Sequence, residues 1–173
     1  GGRYLMLPGQ YKAALTADGF EPLTQSFEVV DDPDQTLSIS LTPLPGILTI
    51  QTRPEVAAMV LVDQIEVGTT PLKIDSVPAG LHDVRIIPER YFQIDTDIDI
   101  SGQRIEQTLT ADLMPAWAEI SLATMPADAT IIIDDEAVGT TPVTFEALDG
   151  ERRLKVSKFG YKSVESILAP SPI

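Results

Sequence analysis

A ten-residue block occurs twice in this chain, 71 residues apart, and no other feature restricts the possible folds as much. Val62-Asp63-Gln64-Ile65-Glu66-Val67-Gly68-Thr69-Thr70-Pro71 returns as Ile133-Asp134-Asp135-Glu136-Ala137-Val138-Gly139-Thr140-Thr141-Pro142. A long internal repeat fixes the architecture before any motif is weighed, because each copy must be one small structural unit joined to the next.

The repeat extends well beyond that block. Upstream, Leu48, Ile50, Thr52 and Pro54 match Ile120, Leu122, Thr124 and Pro126. Downstream, Gly80, Val84, Ile86 and Tyr91 match Gly150, Leu154, Val156 and Tyr161. This downstream half appears a third time near the start, where Gly9, Ala13, Leu15 and Phe20 keep the same spacing. Gln35-Thr36-Leu37, Leu41 and Pro43 then match Gln107-Thr108-Leu109, Leu113 and Pro115. The pattern predicts residues 1–45 as the second half of one module, 46–115 as a complete module, and 116–173 as a module truncated after its late strands. Such a chain is expected to be a piece of a longer protein.

At about 70 residues a module is near the lower limit for a self-sufficient core, so contacts between neighbours are expected to add stability. The net charge of −14 argues against a nucleic-acid backbone or an anionic membrane surface as partner. With no cysteine, disulfides and thiolate chemistry are excluded. No run reaches the roughly 18 apolar residues of a spanning helix, so no direct membrane insertion is expected of this segment.

Apolar residues alternate with polar ones almost everywhere, as in Leu37/Ile39/Leu41, Leu48/Ile50, Val84/Ile86 and Leu154/Val156. This period of two belongs to half-buried strands, and no segment has the 3.6 period of a helix. The runs Met59–Val62 and Ile131–Ile133 are continuous and β-branched, which predicts a central strand buried on both faces. The fold class expected is all-β: tandem small antiparallel sandwiches of six or seven strands each. Asp63-Gln64 and Asp134-Asp135 sit where a hairpin reverses, and Gly68 and Gly139 are expected to supply positive φ or a bulge. Thr69-Thr70 and Thr140-Thr141 are expected to restart a strand, with Pro71 and Pro142 facing an unpaired edge. Phe20, Tyr91 and Tyr161 recur at one place and are expected to cap the core. Trp117 lies between two modules and is expected to pack their interface.

Taken in order, these residues resemble the PEGA domain family. The middle module reads Pro54-Glu55-Val56-Ala57, Val62-Asp63-Gln64, Val67-Gly68-Thr69-Thr70-Pro71, Val77-Pro78-Ala79-Gly80-Leu81-His82 and Tyr91. The third reads Pro126-Ala127-Asp128-Ala129, Ile133-Asp134-Asp135, Val138-Gly139-Thr140-Thr141-Pro142, Leu148-Asp149-Gly150 and Gly160-Tyr161. The glycine of Pro-Glu-Gly-Ala is replaced in both modules, as is that of Ile-Asp-Gly, and Arg152 stands where the middle module has His82. The resemblance implies a transthyretin-like sandwich on the exported side of bacterial and archaeal proteins, with no catalytic residues to carry over.

Three features invite a chemical reading. Asp95, Asp97, Asp99 and Glu106 have the spacing of a calcium-loop carboxylate set, but Ile100 stands where that loop needs glycine for its sharp turn. The alternation of Ile94, Ile98 and Ile100 instead predicts a strand with its aspartates on one solvated face. Asp31-Asp32-Pro33-Asp34 reads as a loop. His82, the single histidine, has no cysteine or second histidine to join it, and its repeat equivalents are Tyr11 and Arg152, so a structural role is expected. No nucleophile elbow surrounds any serine, which leaves a hydrolase without its parts. No catalytic, cofactor-binding or metal-binding residue is assigned, and no cofactor is expected. The sequence therefore reads as a non-enzymatic structural or interaction segment of a larger exported or surface protein, periplasmic or cell-surface by its family resemblance. Its partner is expected to be a protein or a neighbouring domain, with a homo-oligomer through the incomplete repeats as a further expectation. The alternative is a module binding glycan or cell-wall polymer, which an exposed cluster of aromatics would favour.

Overall fold

The structure is a computed structural model that describes residues 6–32 and 35–172. Among the described residues it holds fifteen strands and no helix. The first segment contributes β1 (Gly9–Leu15) and β2 (Leu23–Val29). The middle module contains β3 (Gly46–Arg53), β4 (Ala58–Val62), β5 (Ile65–Thr69), β6 (Leu72–Val77), β7 (Gly80–Pro88), β8 (Ile94–Ile100) and β9 (Glu106–Asp112). The third contains β10 (Trp117–Leu122), β11 (Thr130–Ile133), β12 (Glu136–Thr140), β13 (Val143–Leu148), β14 (Arg152–Ser157) and β15 (Val164–Leu168).

The middle module is a sandwich of a three-stranded sheet, β6-β3-β9, and a four-stranded sheet, β5-β4-β7-β8. Alternate side chains of both sheets meet in one core: Leu48 and Ile50 of β3, Val60 of β4, Val84 and Ile86 of β7 and Ile100 of β8 are all at most 1% exposed. Full burial of a side chain of this kind stabilises a fold by about 1.5–3 kcal/mol. The third module repeats the plan with β13-β10 facing β12-β11-β14-β15. The match reaches single residues, since His82 pairs with Ile98 across β7–β8 and Arg152 with Leu168 across β14–β15. The first segment keeps it too, with Gly9 opposite Val29 as Gly80 is opposite Ile100.

The hairpins β4–β5 and β11–β12 close through two-residue turns with positive φ at both positions, 50° and 67° at Asp63 and Gln64, 47° and 71° at Asp134 and Asp135. Those angles define the mirror-image turn whose twist matches the strands, and aspartate tolerates it better than most residues. A bulge follows in each hairpin, between Val60 and Leu61 and between Ile131 and Ile132, opposite Gly68 and Gly139.

Several expectations are corrected. The middle module is antiparallel except for one ladder: β9 runs parallel to β3, from Ile47 opposite Glu106 to Arg53 opposite Asp112. Residues 101–105 carry the chain from one sheet to the other without reversing it beside its neighbour, so alternation alone could not give the direction. Met59 is 42% exposed, so β4 is buried on one face and open on the other, and its apolar outer residues do not signal a covered sheet. Thr69 and Thr140 end strands rather than restarting them, and Pro71 and Pro142 form the corners between sheets instead of lying on a strand edge. The strand predicted around Leu37, Ile39 and Leu41 does not form. Its repeat equivalent is β9, which is held by β3, and no counterpart of β3 lies beside it among the described residues.

Candidate interaction surfaces

The acidic strand forms as expected, with Asp95, Asp97 and Asp99 exposed on β8 and Ile94, Ile98 and Ile100 turned inward. Asp95 accepts hydrogen bonds from Arg85 at 2.5 Å and Gln93 at 2.7 Å, and the arginine holds its carboxyl below the ordinary range. Glu106 lies on the other sheet, bonded to Lys73 at 3.0 Å and to Thr49 at 3.2 Å. The calcium-like spacing is therefore split between two sheets. Among the described residues no group of three or more His, Cys, Asp or Glu is placed to hold a metal ion. Asp31 and Asp32 lie in a bend, while positions 33 and 34 fall outside the described residues.

His82 has partners that the sequence did not reveal. It is 9% exposed, with Nδ1 2.7 Å from Asp63 Oδ2 and Nε2 2.9 Å from the Pro78 carbonyl oxygen. The hydrogen bond to Asp63 raises its pKa, against the opposing effect of burial. The turn aspartate also accepts the Asp83 amide at 3.1 Å, so one carboxylate ties the β4–β5 turn to β7. The third module reproduces the arrangement with another cation: Arg152 reaches Asp134 at 3.3 Å and the Arg153 amide donates to Asp134 at 2.9 Å. The first segment keeps the other half of it, as the Tyr11 hydroxyl donates to the Leu7 carbonyl at 2.9 Å, the equivalent of His82 to Pro78. All three residues at this position serve as struts.

A second repeated device was visible only as an unexplained match. The Gln107 side chain accepts the Ser101 amide at 2.8 Å and donates to the Asp99 carbonyl at 2.8 Å. Gln35 does the same with Val30 at 3.1 Å and Glu28 at 2.6 Å. Each glutamine clamps the chain as it leaves the hairpin, and the glutamine that opens the matched Gln-Thr-Leu triplets is the signal that would have found it.

The aromatics divide. Phe20 and Tyr91 form isolated bridges to Pro43 and Pro115, and both are half-buried. Tyr161 is 63% exposed, which corrects its expected place over the core, and Phe159 beside it is fully exposed. They stand near a shallow depression of about 200 Å³ lined by Thr124, Met125, Ala129, Val156, Tyr161 and Val164. Trp117 does lie at the junction, with the Arg90 guanidinium 5.4 Å from its ring centroid.

Among the described residues β3 is paired to β6 and β9, and β10 to β13. Ile120 and Leu122 are half-buried where Leu48 and Ile50 are fully buried. Among the described residues β1 and β2 pair with each other and with no strand of a neighbouring module.

No curated protein matches the sequence. Among solved structures the chain is similar to the Bacillus anthracis TIE protein at 15% identity and a TM-score of 0.36, over 95% of this chain and 40% of that one. The chain thus spans less than half the length of that protein. The profile of the PEGA domain matches two adjacent stretches, residues 45–116 and 117–169. With most of its length in two tandem copies, the chain belongs to the PEGA domain family.

Proposed function

We propose that this chain is a non-enzymatic structural or interaction segment of a larger exported or surface protein, spacing other domains or binding a protein partner. The observation that carries the reading is the recurrence of one internal strut at the same repeat position, His82 on Asp63, Arg152 on Asp134 and Tyr11 on Leu7. The use of His82, Asp63, Gln107 and Thr70 as internal struts supports a role without catalysis, since each is engaged in holding strands together. Placement outside the cytoplasm follows the habit of PEGA modules. Among the described residues no helix is long and apolar enough to cross a membrane. The charge of −14 favours a protein partner over nucleic acid.

A second reading is favoured by one observation, the exposure of two aromatic side chains two residues apart, Phe159 and Tyr161. Aromatic faces of this kind are what a glycan-binding module would present. Calorimetric titration separates the two. Calcium and cell-wall glycans are expected to give no saturable heat with the full chain. Saturation by a glycan at low micromolar concentration, with loss on Phe159→Ala, would move the glycan reading ahead.

A further inference from the structure

The residues that join one module to the next have no slack. Between β9 and β10 lie Leu113, Met114, Pro115 and Ala116. The Leu113 amide donates to Arg53 at 2.7 Å, the Met114 carbonyl accepts the Phe92 amide at 2.9 Å, and Pro115 forms the bridge with Tyr91. Ala116 is bonded in both directions: its amide donates to Arg90 at 2.9 Å, in the module behind, and its carbonyl accepts the Asp149 amide at 2.8 Å, in the module ahead.

The joint before the middle module repeats this arrangement. The Thr42 carbonyl accepts the Glu21 amide at 2.8 Å, Pro43 bridges Phe20, and the Pro45 carbonyl accepts the Arg104 amide at 3.0 Å. Leu44 again bonds both ways, its amide to Gly19 at 2.8 Å behind and its carbonyl from Gln103 at 2.6 Å ahead. A hinge needs residues whose φ and ψ are free to change, and flexible linkers owe their freedom to unpaired backbone. Neither joint supplies them, and prolines at 43, 45 and 115 restrict φ further.

Side chains brace the two joints differently. At the second, Arg90 crosses from the turn after β7 to the third module, where it lies over the Trp117 ring and forms an ion pair with Glu146 of β13. At the first, the equivalent residue is Gly19, and Gln103 sits so close that a Cβ on Gly19 would come within 2.9 Å of the Gln103 Cβ. The backbone is left-handed at both, with φ of 66° at Arg90 and 79° at Gly19.

We infer that both joints are rigid couplings, and that the chain holds successive modules at a fixed angle instead of letting them swing. Modules on short connectors usually move against each other unless their interface is extensive. Here the residues at both joints, 42–45 and 113–116, are engaged instead, and Arg90 is the positioning residue of the second joint. The inference deepens the spacer reading above: a stiff array would fix both the distance and the direction of whatever it carries.

The chain has no cysteine, so Glu66→Cys with Ala137→Cys gives one pair of spin labels, at equivalent exposed positions on β5 and β12. Pulsed dipolar spectroscopy on the full chain is expected to return a single narrow distance distribution. Arg90→Gly keeps the left-handed turn, which glycine also adopts at positions 19 and 160, and removes the clasp. It is expected to lose the narrow peak while circular dichroism of the strands stays unchanged. Glu146→Gln reaches the same clasp without touching the turn and is expected to broaden the peak. A broad distribution in the parent chain overturns the inference, as does a narrow one that survives in both variants. Glycan titration does not depend on this joint, so the two readings fail separately.

Discussion

Both ring nitrogens of His82 face acceptors, the Asp63 carboxylate on one side and the Pro78 carbonyl on the other. Only the imidazolium can donate to both at once, which is why its pKa is raised while that of Asp63 is lowered by the same bond. The histidine contribution to stability is complete below its ordinary value of about 6.5 and is lost as pH rises through the raised one. The aspartate contribution is present above its ordinary value and is lost as pH falls through the lowered one. The melting temperature is therefore expected to decline as pH is raised from about 6.5 through the folded histidine value. His82→Arg, the residue class found at position 152, should flatten that decline. NMR titration of this single histidine gives a direct check, since Asp63→Asn is expected to move its pKa back down. The pair was not legible in the sequence because Asp63 and His82 meet only when the β4–β5 turn folds over β7. Gly68 was legible: its φ is 142°, and a Cβ at this position would lie only 3.2 Å from the Leu72 Cδ1, so both backbone and neighbour oppose a side chain. Gly68→Val should cost about 1–3 kcal/mol in a urea melt through backbone strain. Gly139, with φ at 157° and its nearest contact at 3.4 Å, lies close to ordinary extended backbone and should tolerate valine better.

At the scale of elements, the corner between the sheets explains a motif that alternation misread. Thr70 is 3% exposed and its hydroxyl accepts the Ala58 amide at 3.0 Å while donating to the Val56 carbonyl at 2.7 Å. Thr141, 1% exposed, accepts the Ala129 amide at 3.1 Å in the same way. The recurring threonine thus fastens the end of β5 or β12 to the start of β4 or β11, where the bend leaves those backbone groups without a strand partner. Thr70→Val keeps the shape but orphans the Ala58 amide, and a loss of about 1–3 kcal/mol is expected by chemical denaturation. Strand positions were readable from period two because each strand has one face on the core. The direction of β9 was not, since a parallel or an antiparallel neighbour buries the same alternate residues. The failure of residues 35–42 to form a strand has a related cause, as alternation marks where a strand fits and a neighbour must still supply its hydrogen bonds.

Across the whole molecule, the backward bond of the joint recurs, Leu44 to Gly19 and Ala116 to Arg90, while the forward bond comes from Gln103 in one case and from Asp149 in the other. A joint bonded on both sides ties the placement of one module to that of the next. The expected narrow spin-label distance is the measurement proper to this scale, because it reads the relation between modules and not the fold of either. Trp117 marked the joint in the sequence by its position between repeats. Its partner Arg90 did not, since an arginine in a turn is ordinarily a solvated residue and only the packing of two modules brings it over the ring.

The sequence by itself determined the repeated module, most of its strands and the places of its hairpin turns. These follow from local rules, the period of apolar residues and the φ that turn residues permit, repeated until chance was excluded. The tertiary structure alone decided which strands neighbour which, that β9 runs parallel to β3, and that His82 and Arg152 are struts on turn aspartates. Those outcomes depend on contacts between residues far apart in the chain, and a pattern that records only whether each residue prefers water carries no information about which partner it meets.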